Sequence, residues 1–202
     1  MPDASVILLA AGLSRRMGAE NKLLLPVNGR PMVRHVVDQY IEALDGEVLV
    51  VLGHQSEEIA ATLKGTTART VFNPLFPQGQ ATSVAAGLRA AFDANTFVIG
   101  LTDQPFLNSA HIKALLDAHW SANPQKITIP VHGNARGNPI VVPGEFRPRL
   151  LEDADNPGCR KFTRAHPELV QELTLSSRGY YVDVDTPEAY AAHFPTFAKE
   201  LS

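Results

Sequence analysis

The chain has 202 residues, of which 45% are hydrophobic and 19% are charged, and its formal net charge is −3 at pH 7. This length and composition predict one globular domain over residues 1–202 and exclude an intrinsically disordered chain. A slightly negative charge gives no support for a protein that coats nucleic acid or binds an anionic membrane, and we expect neither partner.

Short apolar runs alternate with longer amphipathic stretches over the first 125 residues. The apolar runs predict strands at residues 6–10, 46–53, 69–72 and 96–101. Apolar residues recur at spacings of three and four between Met32 and Leu44, between Val84 and Ala91, and between Ile112 and His119, which predicts three helices. This alternation predicts a Rossmann-like three-layer α/β/α fold with a mostly parallel central sheet.

The rhythm changes after residue 125. Strand-like runs at 126–131 and 139–142 flank a loop at 132–138, and the polar stretch 152–158 is typical of an exposed loop. A further strand is predicted at Tyr180–Val184. A last helix is predicted after Thr186-Pro187-Glu188.

The loop after the first strand combines small residues with two cations. Gly12 and Gly18 allow the backbone to approach a ligand closely, and Arg16 and Lys22 add positive charge to a segment rich in backbone N–H groups. A triphosphate requires this combination of donors and charge. The loop matches neither the Walker A pattern nor G-x-G-x-x-G, and a solvated loop whose charges face water is the alternative.

Several ordered motifs extend this signal over nearly the whole chain. The chain resembles the nucleotidyltransferases related to the molybdenum-cofactor enzymes, and among them the cytidylyltransferases. The matching segments are Leu9-Ala10-Ala11-Gly12-Leu13-Ser14-Arg15-Arg16-Met17-Gly18 with Lys22, Asn73-Pro74, Gly79–Ser83, Thr102–Pro105, Gly137–Pro139, Pro157–Arg160 and Asp183–Glu188. The resemblance implies a fold of the nucleotide-diphospho-sugar transferase type and a Mg²⁺-dependent transfer of CMP from CTP to molybdopterin, with release of pyrophosphate.

The resemblance also implies roles for individual residues. Arg16 and Lys22 would act on the phosphates, and Asp103 would complete the catalytic set as a ligand that holds Mg²⁺ against the α-phosphate. The nucleotide pocket would comprise Leu9, Ala10, Ala11, Gly12, Arg16, Lys22, Asn73, Gly79, Ser83 and Asp103. Two purely structural alternatives stay open: Asp103 is a loop or capping residue, and Thr82 or Ser83 is an ordinary helix cap.

Asp183 and Asp185 are two residues apart, so on an extended segment they share one face while Val184 points to the other. The resemblance makes Asp183 the second metal ligand. Asp185 is open between direct ligation, support of a ligand and a part in starting the last helix.

The resemblance places Asn138 and Arg160 on the acceptor side of the cleft. Asn156 and Pro157 depart from the Gly-Asp-x-Gly-x-Arg pattern of the relatives, so a surface position for Arg160 is an equal alternative. Guanylyl-transferring relatives tend to carry glycine where this chain has Ala11, and the extra methyl favours cytosine. A molybdenum hydroxylase apoenzyme is a further implied partner.

Other classes of protein fit the sequence less well. The alternatives are a guanylyltransferase or another nucleotidyltransferase of the same superfamily that acts on a phosphate or an alcohol, a non-catalytic cofactor carrier, and a dinucleotide-dependent oxidoreductase. Against the last, the chain lacks the glycine fingerprint after the first strand. The seven histidines form no zinc motif, and the single cysteine, Cys159, is expected to be an inert thiol. That lone cysteine and the absence of an export signal in the first residues predict a cytoplasmic protein.

Overall fold

The computed structural model describes residues 4–18, 20–152 and 159–195. In these residues the strands are β1 (Ala4–Ala10), β2 (Pro26–Val27), β3 (Arg30–Pro31), β4 (Val48–Leu52), β5 (Arg69–Phe72), β6 (Thr96–Leu101), β7 (Ile127–His132), β8 (Ala135–Arg136), β9 (Ile140–Pro143) and β10 (Val170–Thr174). The α-helices are α1 (Met32–Ala43), α2 (Ser56–Thr62), α3 (Gln80–Ala90), α4 (Ser109–Ala122), α5 (Arg147–Glu152), α6 (Cys159–Ala165) and α7 (Pro187–His193).

Seven strands form the main sheet in the order β10-β7-β9-β6-β1-β4-β5, and β8 pairs with β7. Strands β6, β1, β4 and β5 are parallel neighbours, and so are β7 and β10. Strand β9 runs antiparallel to both β6 and β7. The predicted mostly parallel sheet is therefore confirmed, with one reversed strand in its main path.

Helices cover both faces of this sheet, as the alternation in the sequence predicts. Val6 and Leu8 of β1 pack on one face with α1, α2 and α4, whereas Ile7 and Leu9 pack on the other with α3, α5 and α6. Successive residues of β1 point to opposite faces, so a strand buried on both sides is apolar over most of its length, here over Val6–Ala10. A Cβ on Gly87 of α3 would lie 2.3 Å from the Ile7 side chain, so this glycine lets α3 approach the sheet closely.

Two predictions for the C-terminal third need correction. Residues 180–184 are not a strand: Tyr180 ends a 3-10 helix and Val184 lies in an irregular segment, although both are buried. The sheet instead takes β10, which the sequence pattern does not predict, as its edge strand beside β7. The loop predicted at 132–138 contains the short strand β8. Of the predicted exposed loop at 152–158, residues 153–158 lie outside the described residues, and Glu152 ends α5.

Domain organisation and membrane association were also predicted. The single-domain boundary at residues 1–202 stays a prediction. Among the described residues, no helix is both long enough and apolar enough to cross a membrane.

Cys159 is buried against the α3 face of the sheet, and this burial raises the pKa of its thiol to about 12. The thiol is therefore protonated at neutral pH, as expected for an inert thiol.

A buried polar network joins α4 to the β7–β10 edge. The His119 side chain is fully buried, and its Nδ1 lies 2.7 Å from the Thr128 hydroxyl. Gln171 donates a hydrogen bond to that hydroxyl, so the hydroxyl can donate its own proton to a neutral imidazole. Burial lowers the pKa of His119 to about 4.

This histidine predicts a loss of stability in mild acid. The unfolded chain binds a proton at His119 below a pKa of ~6.5 and the folded chain does not, so its contribution is complete above that pH and lost as the pH falls toward 4. We expect the free energy of unfolding to decrease by about 2–3 kcal/mol between pH 7 and 4.5 through this group. Urea unfolding should show a shallower pH dependence for His119→Gln, while the exposed His132→Gln should follow the unchanged protein. If the free energy of unfolding fell equally with acid in His119→Gln and His132→Gln, the loss of stability would not come from His119.

Candidate active site

Four loops meet at the carboxyl edge of the parallel strands. The loops after β1 and β6, the short helix at 76–78 and the segment 183–185 together line a cavity of about 550 Å³. Thr102 donates a hydrogen bond to the Leu9 carbonyl, which joins the ends of β1 and β6, and the Val184 N–H donates to the Asp103 carbonyl. The cavity therefore lies where ligands bind in open α/β sheets, and its size suits a small molecule.

The first loop is held in its turn by local contacts. Ser14 has a left-handed backbone (φ 48°) and precedes a 3-10 helix at Arg15–Met17, after which Gly18 also has a positive φ of 72°. Asn21 accepts hydrogen bonds from the Ser14 hydroxyl and from the Leu23 N–H, which starts a second 3-10 helix. The buried Met17 and Leu23 anchor the loop, so Arg16 and Lys22 stay at the cavity.

Three carboxylates and two cations meet at one end of the cavity. The Lys22 Nζ lies 2.5 Å from Asp103 Oδ2 and 2.6 Å from Asp185 Oδ1. Arg16 reaches the second oxygen of Asp185 at 2.6 Å, although 69% of its own side chain is exposed. Asp183 completes the group, and one oxygen from each aspartate lies within 4.8 Å of the others.

The ionisation of these groups follows from their crowding. Burial by itself would lower the pKa of Lys22, but the charges and hydrogen bonds of Asp103 and Asp185 outweigh it and raise that pKa. Burial, followed by the negative charges of Asp103 and Asp185, raises the pKa of Asp183. Burial acts in the same direction on Asp185, but Lys22 and Arg16 reverse it and lower its pKa. The surroundings of Asp183 therefore disfavour its ionised form, and a cation bound nearby would favour it.

The three aspartates fit a divalent cation. Carboxylate oxygens are the ligands that Mg²⁺ and Mn²⁺ prefer, and oxygens sharing one octahedral Mg²⁺ lie about 3–4 Å apart, which small side-chain movements would reach here. Asp103 Oδ1 is buried and accepts no hydrogen bond from any described residue. A buried carboxylate oxygen without a partner is costly, and a metal ion would satisfy it.

The segment at the start of α3 is fixed from behind by Asn73. The buried Asn73 amide donates to the Thr82 and Ser83 hydroxyls at 2.9 and 3.0 Å, and its oxygen accepts from the Leu75 N–H. The helix N-cap is Gly79, so the alternative in which Thr82 or Ser83 caps the helix is wrong. Asn73 does not line the cavity itself and holds two segments that do.

We expect Asn73→Ala to lower the free energy of unfolding by about 2–3 kcal/mol, because it removes three hydrogen bonds and leaves the buried Ser83 hydroxyl without this donor. Urea unfolding measures this change. Asn134→Ala, in the exposed turn between β7 and β8, provides the matched control and should leave the midpoint unchanged. A loss below about 0.5 kcal/mol for Asn73→Ala would contradict a structural role.

Most of the residues predicted for the nucleotide and metal line this cavity, although their roles stay predictions. They are Leu9, Ala11, Gly12, Arg16, Lys22, Gly79, Ser83, Asp103 and Asp183. Ala10 is fully buried in β1 and is not among the lining residues. Asp185, Phe76, Pro77 and Gln80 also line the cavity. Asp185 was left open by the sequence, Gln80 lies within the matching segment Gly79–Ser83 but was given no role, and Phe76 and Pro77 carried no signal beyond their place between two matching motifs.

The residues predicted for the acceptor lie outside the cavity lining. The Asn138 N–H and the Gln104 side chain both donate to the Tyr180 carbonyl, which ties the Asn138 loop to the segment that carries Asp103. Arg160 is exposed near the start of α6, on the α3 face of the sheet. The Tyr180 carbonyl therefore links Asn138 to Gln104, which follows Asp103 in the chain. Arg160 has the surface position that the sequence allowed as an alternative.

The chain matches known proteins over most of its length. Residues 6–170 match the family described as the MobA-like NTP transferase domain. The nicotine blue oxidoreductase of Paenarthrobacter nicotinovorans is 31% identical over 196 residues, covering 93% of this chain and 95% of that protein.

Solved structures share the fold at lower identity. A Mycobacterium tuberculosis H37Rv protein is 22% identical with a TM-score of 0.82, over 96% of this chain and 98% of that one. Its complex with manganese aligns with a TM-score of 0.76 at 21% identity, over 96% and 99% of the two chains. A CMP:2-keto-3-deoxy-manno-octonic acid synthetase complexed with CTP is 12% identical with a TM-score of 0.73, over 98% and 99%.

Proposed function

The chain belongs to the family of MobA-like NTP transferase domains, and from that premise we propose that it is a Mg²⁺-dependent cytidylyltransferase acting on molybdopterin. Its membership makes it a nucleotidyltransferase with a small-molecule nucleotide substrate. The observation that carries the proposal is the group of Asp103, Asp183 and Asp185 facing Lys22 and Arg16 in one cavity. Three hard carboxylate ligands beside two cations suit a metal-bound polyphosphate.

In the proposed reaction, an oxygen of the terminal phosphate of molybdopterin attacks the α-phosphorus of CTP. A new P–O bond forms, the bond between the α-phosphorus and the bridging oxygen breaks, and the electron pair leaves with pyrophosphate. The acceptor is already a phosphate anion, so no strong general base is needed. Positioning and neutralisation of charge supply most of the acceleration.

Each part of the cavity has a task in this proposal. Asp103 and Asp183 hold Mg²⁺, which supplies charge neutralisation at the phosphate oxygens when it is bound. Arg16 and Lys22 bind the phosphates and stabilise the departing pyrophosphate. Gly79 and Ser83 offer the amino end of α3 to the nucleoside. Asn138 contributes to acceptor binding, and Ala11 favours cytosine. A molybdenum hydroxylase would receive the product.

The decisive experiment incubates the purified protein with molybdopterin, Mg²⁺ and each of the four nucleoside triphosphates in turn. We expect pyrophosphate release with CTP, and mass spectrometry should find the cytosine dinucleotide form of the acceptor. Release with GTP alone would replace the proposal by guanylyl transfer. Absence of release with every triphosphate would instead favour a carrier that holds the cofactor without reaction.

The identity to nicotine blue oxidoreductase supports a second candidate, a redox reaction on a compound of that kind. The sequence after β1 is Ala11-Gly12-Leu13-Ser14 and lacks the glycine fingerprint of dinucleotide-binding sheets. Incubation with nicotine blue and a reduced nicotinamide dinucleotide, followed by absorbance, tests it. Oxidation of the dinucleotide without pyrophosphate release in the first experiment would favour this candidate over nucleotidyl transfer.

A further inference from the structure

The cavity has two chemically different ends. Arg16, Lys22 and the three aspartates gather around Asp103, just beyond the end of β6, whereas Ala11 and Phe76 lie on the other side of β1, beside Gly53 at the end of β4. A nucleoside triphosphate carries its charge on the phosphates and has an uncharged, flat base. The charged end therefore takes the phosphates, and the base has to lie toward the uncharged end. This step rests on the proposed function, because it takes a nucleoside triphosphate as the ligand.

The wall at the uncharged end has no room to recede. A Cβ built on Gly53 would lie 2.7 Å from the Ala11 Cβ and 2.7 Å from the Phe76 Cγ, both far inside van der Waals contact. The Ala11 methyl and the Phe76 ring thus both pack against the bare Cα of Gly53, which follows β4. The ring also has an edge contact with Phe72, with ring centroids 6.4 Å apart.

The backbone that carries Phe76 is equally fixed. Phe76 begins a 3-10 helix. The Phe76 N–H donates to the Asn73 carbonyl, and the Phe76 carbonyl accepts a hydrogen bond from the Gly79 N–H. The Asn73 side chain binds this turn to Thr82 and Ser83 of α3. A half-buried ring on such a supported turn keeps its place when a ligand enters.

We propose that the Phe76 ring, seated against Gly53 and Ala11, is the wall that sets the size of the nucleotide base and selects pyrimidine over purine. A purine carries a second fused ring, and the closed packing behind Phe76 gives that ring no space. Phe76 contacts the base without touching the reacting phosphates, so it acts on selectivity between bases more than on the chemical step.

Calorimetric titration of CTP and GTP tests this assignment directly. The unchanged protein should bind CTP more tightly than GTP, and Phe76→Ala should narrow that preference by about tenfold or more, mainly through tighter GTP binding. Phe76→Tyr retains the ring and should keep the preference. Phe92→Ala removes a more exposed ring, 60% accessible, that packs under Arg69 away from the cavity, and should change neither affinity.

Two results would overturn the inference. One is a Phe76→Ala variant, folded by circular dichroism, whose CTP and GTP affinities change by the same factor or do not change. The other is an unchanged protein that binds the two nucleotides equally. Neither result bears on whether CMP is transferred, because the mass of the reaction product decides that question separately.

Discussion

Replacing Asp103 with asparagine is expected to reduce pyrophosphate release from CTP by at least about 10²-fold, while the protein remains folded. The Asp103 side chain offers one oxygen to Lys22 and keeps the other buried without a partner among the described residues. Asparagine has the same shape but is neutral and has a single oxygen, so it is a poor metal ligand and a weak partner for the ammonium.

The fold should tolerate this change. The contact that joins Asp103 to Val184 uses the Asp103 backbone carbonyl, which asparagine retains. Neutralising one of three crowded carboxylates also relieves repulsion, since burial and, after it, the charges of Asp103 and Asp185 raise the pKa of Asp183. We expect a change of less than about 1 kcal/mol in the free energy of unfolding.

The control is Asp117→Asn, an equal change on the exposed side of α4. It should leave both turnover and stability unchanged. Turnover above a tenth of the original rate in Asp103→Asn would remove this carboxylate from the mechanism. A large loss of stability would show that the residue holds the fold and would leave its chemical role to be tested by metal binding.

The parts of this site that were predictable are those whose residue types have a local physical reason. Strands β1, β4 and β6 are apolar except for Ser5 and Thr96 because both faces are covered, so the sequence displays them directly. Asp103 follows such a strand, and Asp183 and Asp185 flank the buried Val184, as their spacing predicts, although the segment is not a strand.

The parts that were missed depend on tertiary contacts. Strand β10 is a partly exposed edge strand with the sequence VQELT, so no face of it is uniformly apolar. Tyr180 is buried because its hydroxyl donates to the His111 carbonyl and its ring packs beside that histidine. In the sequence alone, a segment buried in this way has the same apolar pattern as a strand. The Lys22–Asp185 pair joins residues 163 positions apart, and no local pattern could reveal it.

Replacing Lys22 with methionine is expected to have opposite effects on turnover and on metal binding. The ammonium lies 2.5 Å and 2.6 Å from oxygens of Asp103 and Asp185, which are two of the three candidate metal ligands. Mg²⁺ and Mn²⁺ bind carboxylate oxygens at about 2.1 Å, so an ion bound to Asp103, through Oδ1 or Oδ2, would lie close to the ammonium and repel it from these carboxylates. Once displaced, Lys22 would be free to bind phosphate.

Removing the Lys22 ammonium is therefore expected to strengthen metal binding and to slow pyrophosphate release. Two unit charges 4 Å apart interact by about 4 kcal/mol at an effective dielectric constant of 20, and part of that repulsion between Lys22 and the ion is lost in methionine. Without nucleotide, Lys22→Met should bind Mn²⁺ at least about tenfold more tightly, a difference of ~1.4 kcal/mol, as electron paramagnetic resonance or calorimetry can measure. Pyrophosphate release should fall by about 10²-fold or more, because the phosphates lose a preorganised donor.

Two matched variants separate this competition from a general change of charge. Lys22→Arg keeps a cation at the aspartates and should bind Mn²⁺ no more tightly than the unchanged protein, whereas Lys64→Met removes an exposed cation elsewhere and should alter neither quantity. Equal or weaker Mn²⁺ binding in Lys22→Met would show that the ammonium and the ion do not compete. In that case the ammonium supports the carboxylates as ligands, because three negative groups this close need a counter-charge before any metal arrives.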